Sequence, residues 1–213
     1  MTALETPELE SRCGGLPGET CITVLETQRL MLRAPRLEDA RAVAALADDR
    51  RIAEMTSNLP HPYAVKDAEH WINAQGQTGD TAFLIFTKAD GAFIGATGYV
   101  LAEAADPEIG YWLGLPFWGQ GYATEAARAV VDHVFTSTNA PAITVRARVM
   151  NDRSRRVIEK CGFQWIGAGL TRIKTVQGSV PVDVFRLDRG TWMSFKAWRD
   201  PVTRRQAPIK VVG

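Results

Sequence analysis

The sequence predicts an α/β (α+β) domain, a mixed sheet with helices on both of its faces. Two observations carry this. The hydrophobic period switches repeatedly between two and 3.6 along the middle of the chain. A run of β-rich segments is followed by the order strand, helix, strand, helix, strand, which combines an antiparallel meander with a crossover. The 213 residues, 46% of them hydrophobic, allow a full core; a chain of this length buries roughly 70% of its unfolded surface without staples.

The elements follow in order. Leu30, Leu32 and Ala34 alternate with Met31 and Arg33 in a short strand that Pro35 stops. Leu37, Ala40, Val43, Ala44 and Ala47 then recur at helical spacing, and Val65 to Gln75 reads as a second helix. Thr81 to Thr87, Ala92 to Ala102 and Glu108 to Leu113 form the meander, with Asp90-Gly91 as the hairpin signal and Asp106-Pro107 as a break. Tyr122 to Phe135 is an amphipathic helix, apolar at Ala123, Ala126, Ala127, Val130 and Val134 and charged at Glu125, Arg128 and Asp132. Ile143, Val145, Ala147 and Val149 mark a strand, Asn151 offers a cap to a short helix closed by Gly162, and Gln164 to Val176 and Val180 to Asp188 are the last β segments.

Charge and cysteine exclude several functions. There are 25 Lys plus Arg against 24 Asp plus Glu, a net charge of +1, where a nucleic-acid or anionic-membrane binder shows a basic excess or stripe. No apolar run approaches the ~20 residues of a spanning helix, and Met1 to Glu10 is acidic where a signal peptide is basic. Cys13, Cys21 and Cys161 form neither a disulfide framework nor a metal motif, and His61, His70 and His133 lack metal spacing, so a reducing, cytoplasmic setting without metal is expected. The glutamate-rich, glycine-broken residues 1–25 read as an irregular arm. Residues 196–213 read as a basic tail, with Lys196, Arg199, Arg204, Arg205 and Lys210 against Asp200. The opposite signs leave open that the tails dock on each other or on the partner in a homodimer.

Leu115-Pro116-Phe117-Trp118-Gly119-Gln120-Gly121-Tyr122-Ala123-Thr124-Glu125-Ala126 runs from a strand end into the amphipathic helix. Unpaired amides at a glycine-preceded helix start, with about half a positive charge from the dipole, suit a diphosphate. A Rossmann fingerprint fails because Thr124 stands at the sixth position from Gly119, and Walker A fails because Gln120 replaces its lysine. A plain tight turn fits the glycines equally well. Ser154 shares a helical face with Val157, Ile158 and Cys161, a hydroxyl in an apolar stripe that a polar partner should meet unless it bonds its own backbone.

Glu108-Ile109-Gly110-Tyr111-Trp112-Leu113, then Phe117 to Ala126, then Asn151 and Ser154 before Cys161-Gly162-Phe163 strongly resemble the GNAT N-acetyltransferase superfamily. The similarity spans about Thr27 to Phe195 and is nearest the Rim-type branch, which acetylates protein N-terminal amines. It implies a mostly antiparallel sheet of about six or seven strands with a splayed pair, in a domain over 26–195. It implies acetyl-CoA as co-substrate, its pantetheine arm against Tyr111, Trp112 and Leu113 and its pyrophosphate on Trp118, Gly119, Gln120, Gly121, Tyr122, Ala123 and Thr124, with Asn151 and Ser154 beside the arm. Trp118 stands where the superfamily usually has a polar or basic residue.

The chemistry needs a neutral amine, a held carbonyl and a proton for the departing thiolate. An α-amine of pKa near 8 asks less of a base than a lysine near 10.4. Glu108 is the candidate base by this resemblance, against the alternative of a solvated strand-end carboxylate. The tyrosine that many members place seven residues after the asparagine is Ile158 here, which leaves Ser154, Tyr111 or Tyr122 to meet the sulfur, Ser154 foremost. Cys161 follows the buried stripe, so direct transfer in a ternary complex is expected. The acceptor is a peptide N-terminus or a small amine, with a non-catalytic acyl-CoA-binding module as the remaining alternative. Met55 to Tyr63 would wall the acceptor cleft.

Overall fold

A computed structural model of the chain describes residues 23–75, 80–101, 105–175 and 178–199. These form an open eight-stranded sheet in the order β1-β2-β3-β4-β5-β6-β8-β7. The strands are β1 (Val24–Glu26), β2 (Leu30–Arg33), β3 (Thr81–Thr87), β4 (Phe93–Val100), β5 (Glu108–Leu113), β6 (Ala142–Arg148), β7 (Gln164–Ile173) and β8 (Gly178–Asp188). The helices are α1 (Ala40–Ala47), α2 (Arg50–Ala53), α3 (Val65–Ala74), α4 (Tyr122–Ser137), α5 (Asp152–Lys160) and α6 (Arg189–Arg199).

The mixed sheet and the meander β3-β4-β5 are as the period changes predict, and the mostly antiparallel pairing is as the resemblance implies. The strand count is eight rather than six or seven because of β1, three residues without legible alternation at the end of the expected arm. The rest of that arm and most of the expected tail lie outside the described residues. Lys196 lies within α6, which the sequence did not announce; it is held by Trp192, stacked on Phe135 at 4.9 Å and donating from Nε1 to Asp132 at 2.6 Å.

Local chemistry sets the joints. Gly91 closes the β3–β4 turn with φ +69°, its amide bonded to the Thr87 carbonyl. Helix α5 ends in a Schellman motif, with Gly162 N–H on the Glu159 carbonyl and Phe163 N–H on the Ile158 carbonyl, and Gly162 takes the left-handed φ of +92° that this requires. On one face of the sheet α4 buries Ala126, Ala127, Val130, Val131, Val134 and Phe135 against Ile109, Leu113, Ile143 and Val145. On the other, α1 and α3 pack over Leu84 and Ala96. Each fully buried large apolar side chain contributes about 1.5–3 kcal/mol, so neither layer is dispensable. No helix among the described residues is long and apolar enough to cross a membrane.

One joint in the sheet is incomplete. β5 and β6 are its parallel neighbours, and they pair through Glu108↔Thr144 and Ile109↔Val145 before parting. Gly110 to Leu113 therefore have β4 on one side and no strand on the other. This is the splay that the resemblance implied.

Candidate active site

The gap between β5 and β6 exposes particular backbone groups. Gly114 N–H donates to the Ile94 carbonyl, which by antiparallel alternation turns the backbone groups of Gly110 and Trp112 toward β4 and those of Tyr111 and Leu113 into the gap. An extended amide chain laid in the gap can therefore pair with Tyr111 and Leu113. The Leu113 carbonyl is already occupied, accepting from Trp118 Nε1 at 2.7 Å. Trp112 frames the gap rather than facing it, since its ring packs against Phe93 at 6.1 Å in the α1–α3 layer.

Beyond Leu113 the chain makes a single 3-10 turn, Leu115–Phe117, and enters α4 through Gly119 (φ +77°) and Gly121 (φ +83°). Gly121 is the N-cap and has no side chain to satisfy the first amides; the first backbone bond into the helix runs from Glu125 N–H to the Gly121 carbonyl at 3.1 Å. Among the described residues the amides of Gly119, Gln120, Gly121, Tyr122, Ala123 and Thr124 donate to no protein acceptor. A row of unmet amides on the positive end of a helix dipole holds an anion. The Gln120 side chain is turned back onto the Pro116 carbonyl at 2.8 Å, so the loop presents backbone.

Sequence reasoning missed the group that secures this loop. Arg29, on the β1–β2 turn, pairs through Nε with Glu125 Oε2 at 2.7 Å, donates from Nη1 to the Gln120 carbonyl at 3.0 Å, and stacks its guanidinium 4.5 Å from the Tyr122 ring centre. Thr27 Oγ1 and the Arg29 amide both donate to Glu125 Oε1. These bonds hold Glu125 ionised, its pKa below the usual carboxylate range although burial opposes that. A second cation, Arg153, lies over Trp118 at 4.9 Å.

The hydroxyl on the apolar stripe does have a partner. Tyr111 Oη lies 2.9 Å from Ser154 Oγ and donates to the Ser154 carbonyl at 3.2 Å, joining β5 to α5 across the splay. Burial pushes the Tyr111 phenol far above its usual pKa, so it is a donor at any working pH. Asn151 caps α5, its Oδ1 accepting from Ser154 N–H at 3.1 Å. Cys161 is buried behind them at 3% exposure.

Glu108 lies at the other end of β5, on the face opposite Ile109, with Oε2 3.1 Å from Arg146 Nη1. Desolvation raises its pKa above the ordinary carboxylate value, and Arg146 opposes the rise without cancelling it. Arg148, two residues further along the same face of β6, donates to the Glu54 carbonyl at 2.6 Å. The α2–α3 connection lies over this face: Lys174 N–H donates to the Ser57 carbonyl at 3.2 Å, and Thr175 Oγ1 to the Ala53 carbonyl at 3.2 Å. Met55 to Tyr63 thus begins beside Arg148, at the C-terminal end of β6. Among the described residues no group of three or more His, Cys, Asp or Glu could hold a metal.

A parallel strand pair that opens, a glycine-started helix beyond it and free amides between them define the class of protein: a mixed α/β domain with a cleft suited to an extended ligand that ends in an anion. Residues 29–164 match the model of the acetyltransferase (GNAT) domain, and the chain belongs to that family of acetyl-CoA-dependent N-acetyltransferases. The uncharacterized N-acetyltransferase p20 of Bacillus licheniformis is 30% identical over 145 residues, 66% of this chain and 82% of p20. Mycobacterium smegmatis RimJ in complex with CoA-disulfide superposes with a TM-score of 0.68 at 20% identity, over 84% of this chain and 94% of RimJ. Spermidine N-acetyltransferase from Vibrio cholerae in complex with CoA and spermine superposes with 0.67 at 20% identity, over 78% of this chain and 99% of that one. The fold is thus shared by enzymes with protein and with small-amine acceptors.

Proposed function

We propose that the chain transfers acetyl to the α-amine of a peptide or protein N-terminus, in a catalytic domain over residues 26–195. The observation that carries this reading is the makeup of the Glu108 end of the gap. Among the described residues its carboxylates are already matched, Glu108 by Arg146 and Asp106 by Arg186, and Arg148, further along β6, has no acidic partner. A polyamine, held by its positive charges, needs an acidic cleft; an α-amine, already partly neutral near pH 8, needs only one base.

Acetyl-CoA supplies the acyl thioester. The free amides of Gly119 to Thr124 with Arg29 beside them fit its diphosphate, and the Tyr111 and Leu113 backbone groups fit the amides of its arm. Ser154 and Asn151 border that arm. Glu108 takes the proton that the amine sheds as its nitrogen bonds to the acyl carbon, and its raised pKa makes it a better base than an exposed carboxylate. The Tyr111–Ser154 hydroxyl pair donates a hydrogen bond to the sulfur as the carbon–sulfur bond breaks. The phenol binds its proton more tightly than a thiol of pKa about 8.5 does, so the pair stabilises the thiolate rather than protonating it outright. Buried Cys161 has no part in this, and transfer is direct.

Thiol release from acetyl-CoA over a panel of peptides with free N-termini, the same peptides N-blocked, and small amines tests the reading. Turnover with free N-termini and none with blocked ones is expected; release with the small amines alone overturns the peptide acceptor, and an absence of release with every peptide and amine overturns turnover itself.

A further inference from the structure

The face of the sheet opposite α4 contains, at the end of β6, a cation that the transfer does not use. Thr144, Arg146 and Arg148 alternate on one face of β6, opposite the face where Ile143, Val145 and Ala147 enter the α4 core. Arg146 is matched by Glu108 at 3.1 Å. Arg148 has no carboxylate partner among the described residues: its one side-chain bond goes to a neutral carbonyl, that of Glu54, and its Nε is buried with no acceptor at all. The nearby Glu54 carboxylate is committed to Arg50 at 2.7 Å. A guanidinium offers five donors, and a buried one left unmatched is costly.

We infer that Arg148 is a specificity-determining residue that receives a carboxylate of the acceptor, so that the preferred amine is one with an acidic group within a residue or two of it. The inference rests on the proposed entry of the acceptor across Glu108. Arg146 cannot serve equally, because Glu108 already neutralises it. Arg148 stands two residues along β6 from Arg146, the cation that the Glu108 carboxylate meets, so the anion subsite lies roughly 6–7 Å beyond that contact, about the length of two extended residues. A carboxylate fits the fork geometry of the guanidinium in two parallel bonds, whereas a cationic acceptor meets repulsion from Arg148.

The test uses the full chain with acetyl-CoA and three peptides alike except at the second residue, which is Glu, Gln or Lys, together with a carboxylate-bearing amino acid and spermidine. Wild type should rank kcat/KM as Glu above Gln above Lys, at least tenfold from first to last. Arg148→Gln should flatten that ranking, and Arg148→Glu should invert it. Calorimetric affinity for acetyl-CoA checks that both variants are folded, and a variant that has lost it is replaced by Arg148→Lys, which must retain the order. Equal rates on the three peptides in wild type, an unchanged ranking in Arg148→Gln, or a loss common to all three peptides as a bracing role for the Glu54 contact would give, each overturns the assignment. If only small amines react, the peptide reading has failed, and the order of the amino acid over spermidine decides the role of Arg148 separately.

Discussion

The two ends of β5 are built from different materials. At the Leu113 end the working groups are main-chain amides, oriented by Gly119 and Gly121 and braced from behind by Arg29 and Glu125. At the Glu108 end the candidate groups are side chains from separate strands, Glu108 and Arg146, with Arg148 further along β6 beneath a connection anchored at Glu54 and Ser57. Backbone cannot be mutated away and serves a ligand whose shape never changes. Side chains can be exchanged one at a time without touching the donor cradle, which is how one fold serves acceptors as different as those of RimJ and the spermidine enzyme.

The comparison is broken most directly at Glu108. Glu108→Gln should lower kcat about 100-fold or more, within the range for a lost general base, while acetyl-CoA affinity stays within about twofold, a shift below ~0.5 kcal/mol. The direction of its pKa gives a second readout. The carboxyl must be ionised to accept a proton, so activity falls as pH drops through a pKa that lies above the usual carboxylate value. The acceptor amine must be neutral, so log kcat/KM should rise with unit slope up to about pH 8. Below the Glu108 pKa the wild-type slope should steepen to two, and the Gln variant should keep a slope of one throughout. A wild-type profile without that break, or a variant as fast as wild type, removes Glu108 from the transfer.

Arg29 sharpens the comparison from the donor side. Arg29→Met removes the pair to Glu125 and the bond to the Gln120 carbonyl. Because the residue is largely exposed, the pair itself is worth at most about 1 kcal/mol. The expected result is a KM for acetyl-CoA raised about tenfold, some 1.4 kcal/mol, with kcat and the ranking of acceptors little changed. Arg29→Lys should recover only part of the loss, since a point charge cannot bond Glu125 and the Gln120 carbonyl together. A fall in kcat with KM unchanged would place Arg29 with the chemistry instead and erase the division between the two ends.

The donor end was the more legible one. Glycines between a strand and an amphipathic helix declare their turn through local chemistry, and the open amides follow from it. What secures them did not show, because the Arg29–Glu125 bond joins residues 96 apart and leaves no mark on the period of either segment. Glu108 could be picked out, but whether it would be solvated or paired depended on Arg146 across a strand contact of only two residue pairs. The serine among Val157, Ile158 and Cys161 signalled a missing partner without naming it, and Asn151 is the cap that its position promised. β1 and α6 went unread for different reasons: β1 is too short to show alternation, and α6 is tied to the core by contacts between residues far apart in the chain, Trp192 on Phe135 and Asp132 and Arg189 on the Phe135, Thr138 and Ala140 carbonyls.

Tyr111 spans the two regions, since its backbone faces the gap in which the donor's arm is proposed to lie and its hydroxyl reaches Ser154 on α5. Tyr111→Phe deletes the oxygen from a bond that already has two alternatives, Ser154 Oγ and the Ser154 carbonyl, so the loss is modest. A net hydrogen bond of about 0.5–1.5 kcal/mol corresponds to roughly a two- to tenfold fall in kcat. Ser154→Ala should fall in the same range. If the hydroxyls act as one donor to the sulfur, the double variant should be no slower than the slower single one, a coupling energy close to the smaller effect. Multiplying effects would mean two separate tasks, one at the sulfur and one holding the splay. A donor whose thiol leaves more readily should then restore the variant with the sulfur task and leave the other unimproved.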